Sequence, residues 1–98
     1  MDIEIISYGS SQYSESVDLR YRILRKPLNL LFSKEFLQQD SNQYNIAAFD
    51  NNKLIGILLL KPIDYNIFQM RQVAIDTNYQ GKGIGKQLVI FAENFSIQ

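Results

Sequence analysis

The stretch VAIDTNYQGKGIGKQLV, Val73 to Val89, runs from an apolar segment through a polar turn into three glycines at alternate positions, Gly81, Gly83 and Gly85. Glycine at a helix start is costly, roughly 1 kcal/mol each relative to alanine, so some benefit must offset it. Without a Cβ, successive backbone N–H groups at the amino end of a helix come within hydrogen-bonding reach of a ligand. The charges point the same way. Helix starts favour acids because of the helix dipole, yet no Asp or Glu occurs from Thr77 to Ala92, and Lys82 and Lys86 lie in the first turn. A bound polyanion would complement that pattern. The plainer alternative is a turn whose glycines only let the helix pack closely on the preceding strand. Two familiar phosphate loops do not fit. The P-loop needs Gly where Gln80 stands and Ser or Thr where Gln87 stands, and the dinucleotide fingerprint needs Gly where Lys86 stands.

Downstream, Ile84, Leu88, Phe91, Ala92 and Phe95 recur at helical spacing and predict a helix packed on a sheet. Upstream, Ile67 to Ile75 reads as a strand with Gln69, Arg71 and Val73 on one side and Phe68, Met70 and Ala74 on the other. Pro62 and Asp64 close the strand before it. Tyr44 to Phe49, the turn Asp50 to Lys53 and the run Leu54 to Leu60 give a hairpin signal with arms too apolar to face solvent. Gly56 in the second arm predicts a bulge, a close backbone approach or plain packing. Further out, Ser33 caps a short helix through Glu35, Phe36 and Leu37 that ends near Asp40. Val17, Tyr21, Leu24 and Leu28 predict an amphipathic helix stopped by Pro27. Arg20, Arg22, Arg25 and Lys26 then fill its solvated faces, or grip a phosphate-bearing partner. Ile3, Ile5, Ile6 and Tyr8 predict a first strand that Gly9, Ser10 and Ser11 terminate. The order β-α-α-β-β-β-α implies an α+β fold, an antiparallel or mixed sheet flanked by helices, in one domain over residues 1–98.

Composition narrows the chemistry. The 98 residues carry ten basic and ten acidic side chains, so the formal net charge is zero, which speaks against a protein devoted to gripping nucleic acid. The chain has no Cys, which removes disulfides, thiolate metal sites and a cysteine nucleophile. It has no His either, so neither a Ser/His/Asp triad nor the usual metal-hydrolase site can be built, and no metal is expected. Asp2 and Glu4 stand where a signal peptide needs basic residues, and Leu54 to Leu60 is far too short to span a bilayer. A cytoplasmic protein without membrane contact is the expectation.

The segment Val73 to Val89 resembles the acetyl-coenzyme A signature of the GNAT superfamily of N-acetyltransferases, Q/R-x-x-G-x-G/A. Gln80, Gly83 and Gly85 occupy its three fixed positions, with Gly81 and Lys82 also typical. The resemblance implies transfer of an acetyl group from acetyl-coenzyme A to a primary amine by direct attack. It places the pyrophosphate on the amides from Gly81 through Lys82, Gly83, Ile84 and Gly85 to Lys86. The pantetheine arm would pair with the strand at Val73, Ala74 and Ile75, and the Val73 region would donate to the thioester carbonyl. A preorganised N–H there is typically worth about 2.7 to 4 kcal/mol of barrier. Thr77 stands where the family commonly has Pro.

Members of the family usually continue beyond this helix with further strands, a helix and often a Tyr that protonates the leaving thiolate. The resemblance therefore implies a domain truncated after the helix, with no catalytic acid assignable. For the base, Gln69 or Arg71 could order a water, and Glu35 or Asp64 could act from the acceptor side. By resemblance, Arg25 to Phe32 borders the acceptor cleft, although it reads equally as a core-contacting connection. The edge of the strand Ile67 to Ile75 then lacks its next neighbour, which predicts a homodimer. The alternative function is a non-catalytic module that binds coenzyme A or a partner protein.

Overall fold

The computed structural model describes residues 1–97. Four strands pair in chain order: β1 (Asp2–Ile6), β2 (Tyr44–Asp50), β3 (Lys53–Asp64) and β4 (Ile67–Ile75). Every pairing is antiparallel. Asn51 and Asn52, at φ +50° and +66°, make the tight β2–β3 turn. Left-handed residues in a two-residue turn match the twist of the flanking strands, and Asn tolerates that conformation.

Helices α1 (Ser11–Arg20) and α3 (Ile84–Ser96) cover opposite faces of the sheet, and the short α2 (Lys34–Gln38) lies between α1 and β2 in the chain. Side chains alternate across the sheet, so the hairpin serves two cores. Ala47, Ile57 and Leu59 pack with Ile6 and Leu19, while Ile46, Leu58 and Leu60 pack with Ile84, Leu88 and Ala92. Each large aliphatic so buried contributes about 1.5 to 3 kcal/mol. Gly56 serves this packing: a Cβ there would lie 3.1 to 3.3 Å from Ile75, Leu88 and Ile84. A bulge adjoins it, because Ala48 faces Gly56 while Phe49 faces Leu54, leaving Ile55 extra. Among the described residues no helix is long and apolar enough to cross a membrane, and no His, Cys, Asp and Glu cluster could hold a metal.

Three expectations change. First, of the two residues expected to close β3, Asp64 ends it, but Pro62 lies within it, facing Phe68. The partner strand β2 ends opposite Leu60, so the missing N–H of Pro62 interrupts no ladder on that side. Second, Ala74 does not share a face with Phe68 and Met70. Ile57 faces Ala74 and Leu59 faces Arg71, so Gln72 and Val73 together oppose Leu58. That extra residue turns Ala74 into the α1-side core while Phe68 and Ile75 pack on the α3 side.

Third, the first helix starts earlier and buries a different face. Ser10 caps it, its Oγ accepting from the Tyr13 N–H at 3.1 Å. After Arg20 the chain widens into a π turn over Tyr21–Arg25 and tightens over Lys26–Leu28, with Pro27 inside that last turn rather than beyond a stop. The inward residues of α1 are Tyr13, Ser16, Leu19 and Arg20, and Leu28 is 68% exposed. Arg20, expected on a solvated face, is fully buried against Asp40.

Candidate functional site

The chain leaves β4 through a turn fastened at several points. The Asp76 N–H donates to Ile55 O at 2.8 Å, and its Oδ1 accepts from the Asn78 N–H at 3.0 Å. Arg22 lies 3.7 Å from the other Asp76 oxygen. Gln80 Nε2 donates to Ile75 O at 3.0 Å, so the Gln80 side chain clamps the turn onto the strand. The Tyr79 hydroxyl donates to Asp50 Oδ2 at 3.1 Å, and that hydrogen bond raises the phenol's pKa. Lys53 and Lys82 place their ammonium groups 5.7 and 5.5 Å from the Tyr79 ring centre. The Asp76 cap is readable as an Asx turn two residues before Asn78. No local signal marks the Tyr79–Asp50 contact, because its partners lie on different turns.

The glycines divide by cause. Gly81 and Gly83 sit at φ +79° and +81°, a conformation other residues resist, whereas Gly85 lies in regular helix. A Cβ at any of the three would meet nothing within 4 Å, so close packing of helix on strand does not account for them. Ser10 and Ser33 cap α1 and α2, but Gly83 begins α3 with no side-chain cap. Gln87 donates to Gly83 O. The N–H groups of Ile84, Gly85 and Lys86 precede it and have no protein partner among the described residues. Three free donors at the positive end of a helix, with Lys82 and Lys86 exposed beside them, are chemically suited to a phosphate-bearing group.

The other sequence-read positions lie on β4. Val73 belongs to the bulge and is 40% exposed, Ala74 is buried opposite Ile57, and Ile75 faces Gly56. Gln72 sits in the bulge at φ +54°, outside the usual range for its residue type, and a bulge leaves its extra backbone groups outside the ladder. β4 is also the outer strand of the described sheet. The free amides of α3 and the irregular backbone of β4 are thus joined by the one clamped turn.

The candidate bases are not gathered in one place. Asp64 accepts from the Tyr65 N–H at the tip of the β3–β4 hairpin, the end of β4 away from the glycines. Glu35 is exposed in the first turn of α2. Gln69 faces Lys61 across the ladder. Arg71 NH1 donates to Gln43 Oε1 at 3.4 Å, on the same side of the sheet as the buried Arg20. Arg20 NH1 donates to Asp40 Oδ2 at 2.6 Å, Tyr13 donates to the same oxygen at 2.7 Å, and Arg20 NH2 reaches Gln72 Oε1 at 3.5 Å. Burial, then the Asp40 contact, push the Tyr13 phenol far above its ordinary pKa. Sequence reasoning missed this network, since polar residues on a helix are ordinarily assigned to solvent.

Such an arrangement belongs to the α+β class, an antiparallel sheet covered by a helix on each face. The sequence profile of the Acetyltransferase (GNAT) family matches residues 11–98, and the chain belongs to that family. Solved structures agree in fold. A coenzyme A complex of an aminoglycoside 6′-N-acetyltransferase superposes with a TM-score of 0.79 at 19% identity, over 99% of this chain and 56% of that one. A GNAT-family acetyltransferase from Staphylococcus aureus Mu50 gives 0.76 at 20% identity, over 97% and 66%. One from Elizabethkingia anophelis with acetyl-CoA bound gives 0.71 at 26% identity, over 98% and 59%. The chain therefore spans between 56% and 66% of the length of these relatives. No curated protein sequence matches it.

Proposed function

We propose that residues 1–98 form the donor-binding part of an N-acetyltransferase, transferring an acetyl group from acetyl-coenzyme A to a primary amine. The observation that carries the reading is the uncapped start of α3, with free amides at Ile84, Gly85 and Lys86. Gly81 and Gly83 keep side chains away from the approaching phosphates, and Lys82 and Lys86 add positive charge. The backbone of Val73, Ala74 and Ile75 is the surface along which the pantetheine arm would extend. Gln72 and Val73 form the bulge of β4, which leaves backbone groups outside the ladder, so the N–H at the Val73 end is the donor we assign to the thioester oxygen. In that step the amine nitrogen bonds to the carbonyl carbon, the C–S bond breaks, and the thiolate takes up a proton while the amine loses one. An N–H beside the carbonyl oxygen stabilises the charge developing there, and most of the remaining acceleration is positioning.

Gly85→Glu is the cleanest test of donor binding. The site is helical and open, so the substitution should keep or raise stability while setting a carboxylate among the amides. Calorimetric binding of acetyl-coenzyme A should fall at least tenfold in Gly85→Glu with an unchanged circular dichroism spectrum. Equal affinity in variant and parent would dismiss the glycine turn as the site. The candidate bases Glu35, Asp64, Gln69 and Arg71 are not gathered in one place, which favours one further reading, a non-catalytic module, marked by coenzyme A binding without acetyl transfer. The outer edge of β4 in the described sheet supports a homodimer. The absence of Cys and the balanced charge support a cytoplasmic protein whose partners are acetyl-coenzyme A and an amine rather than nucleic acid or membrane.

A further inference from the structure

The α1-facing side of the β4 bulge carries an excess of guanidinium groups set over two phenyl rings. Arg20 and Arg25 place their Cζ atoms 5.0 and 4.8 Å from the Phe32 ring centre. Arg25 and Arg71 lie 5.0 and 5.9 Å from that of Phe36. The two rings are stacked 5.7 Å apart with an interplanar angle of 6°. Asp40 neutralises Arg20, but no carboxylate of a described residue lies within 4.0 Å of Arg25 or Arg71. Arg25 donates no side-chain hydrogen bond among the described residues, and the fully buried Arg20 has an Nε with no partner. Arg71 immediately precedes the bulge, and Gln72 within it accepts from Arg20.

Like charges crowd together at a cost, and a cation–π contact with an aromatic ring offsets part of it without requiring the N–H donors. What remains is a half-buried set of donors, of which Arg71 gives one to Gln43, carrying two positive charges with no carboxylate partner among the described residues. A planar carboxylate matches such donors in bidentate fashion. We infer that Arg25 and Arg71, both set over the Phe36 ring, bind the carboxylate of the acceptor, so that the amine acetylated belongs to a small amino acid rather than to a polyamine. The inference rests on the acetyl-transfer reading only for the role of the amine. The anion site itself follows from the unpaired guanidinium groups beside the bulge.

The test has a binding arm and a turnover arm. Nuclear magnetic resonance follows the Phe32 and Phe36 rings and the Arg25 and Arg71 Nε–H signals while N-acetylglutamate, its diamide or phosphoethanolamine is added. Shifts with the acid and none with the diamide are expected, and both Arg25→Gln and Arg71→Gln should abolish them. Equal responses to acid and diamide, or a stronger response to phosphoethanolamine, would overturn the assignment whether or not acetyl-coenzyme A binds. In the turnover arm a thiol reagent reads coenzyme A release without background, because the chain has no Cys. Glutamate should exceed both its diamide and spermidine in kcat/KM by at least tenfold, chiefly through KM, and Arg25→Gln should shrink that ratio toward one. A preference for spermidine would sink the inference. Loss of acetyl-coenzyme A binding with the acid response intact would instead remove the transferase reading alone.

Discussion

Arg20 shows how far one side chain can depart from its sequence pattern. It sits in a run of basic residues that reads as a solvated face, yet it is fully buried with Asp40 and beneath the Phe32 ring. Its partners, Asp40 and Gln72, come from distant parts of the chain, so no local rule reveals them. Removing one member of a buried pair strands the other charge, at a typical cost of 3 to 5 kcal/mol. Arg20→Ala should therefore lower the urea midpoint steeply or leave the chain unfolded, whereas Asp18→Ala, at the exposed Arg22–Asp18 pair, should change stability by less than about 1 kcal/mol. Tyr13 gives the pH counterpart. Its phenol pKa is raised by burial and by donation to Asp40. Below about pH 10 folded and unfolded chains both keep the proton; above it the unfolded chain releases the proton that the folded chain retains. Folding stability should then decline by up to about 1.4 kcal/mol per pH unit above about pH 10. Urea denaturation of Tyr13→Phe should lack that component of the decline.

At the scale of elements, α3 was legible and α1 was not, for the same physical reason. The apolar repeat of α3 packs on one sheet face as regular helix, so its spacing reports its contacts directly. In α1 a π turn follows Arg20 and the inward face includes Ser16 and Arg20, so apolar spacing selects the wrong face. β4 repeats the lesson: its alternation holds as far as Arg71 and is then displaced by the bulge at Gln72 and Val73. The glycine turn was readable because positive φ and missing acids are properties of the local chain. Its fastening to Asp50 through Tyr79 was not. The exposed first turn of α3 leads to a graded expectation: Lys82→Ala and Lys86→Ala should each weaken coenzyme A binding severalfold, nearly additively, and less so in high salt. Titration calorimetry at two salt concentrations measures this, and affinity unaffected by either change would place the anion elsewhere. Gly56→Ala, by contrast, acts on the seat of α3 and should cost about 1 to 3 kcal/mol of stability through contacts with Ile75, Leu88 and Ile84. Chemical denaturation reads that cost.

For the whole molecule, the outer edge of β4 is the feature with the widest reach. Ile67, Met70 and Val73 on that strand are exposed at 54%, 38% and 40%, and the strand's outer backbone groups have no neighbour in the described sheet. Apolar surface and unpaired backbone are both stabilised by a second strand. Light scattering at micromolar concentration should therefore report a dimer or larger assembly, and Met70→Lys, which charges the edge, should shift it toward monomer. A parent chain that stays monomeric would rule out this use of the edge.

The sheet's strand order carries a different consequence, kinetic rather than thermodynamic. Because β2, β3 and β4 are neighbours both in space and along the chain, their pairing closes only short loops, of which Asn51 and Asn52 form one. Only β1 must wait for the long helical connection to be brought round, and loop-closure entropy makes that the late step. A meander that assembles from its own hairpins gives the nascent chain a nucleus before its flanking helices have settled. Pulse-labelled amide exchange should find the β2 and β3 amides protected first and those of β1 last.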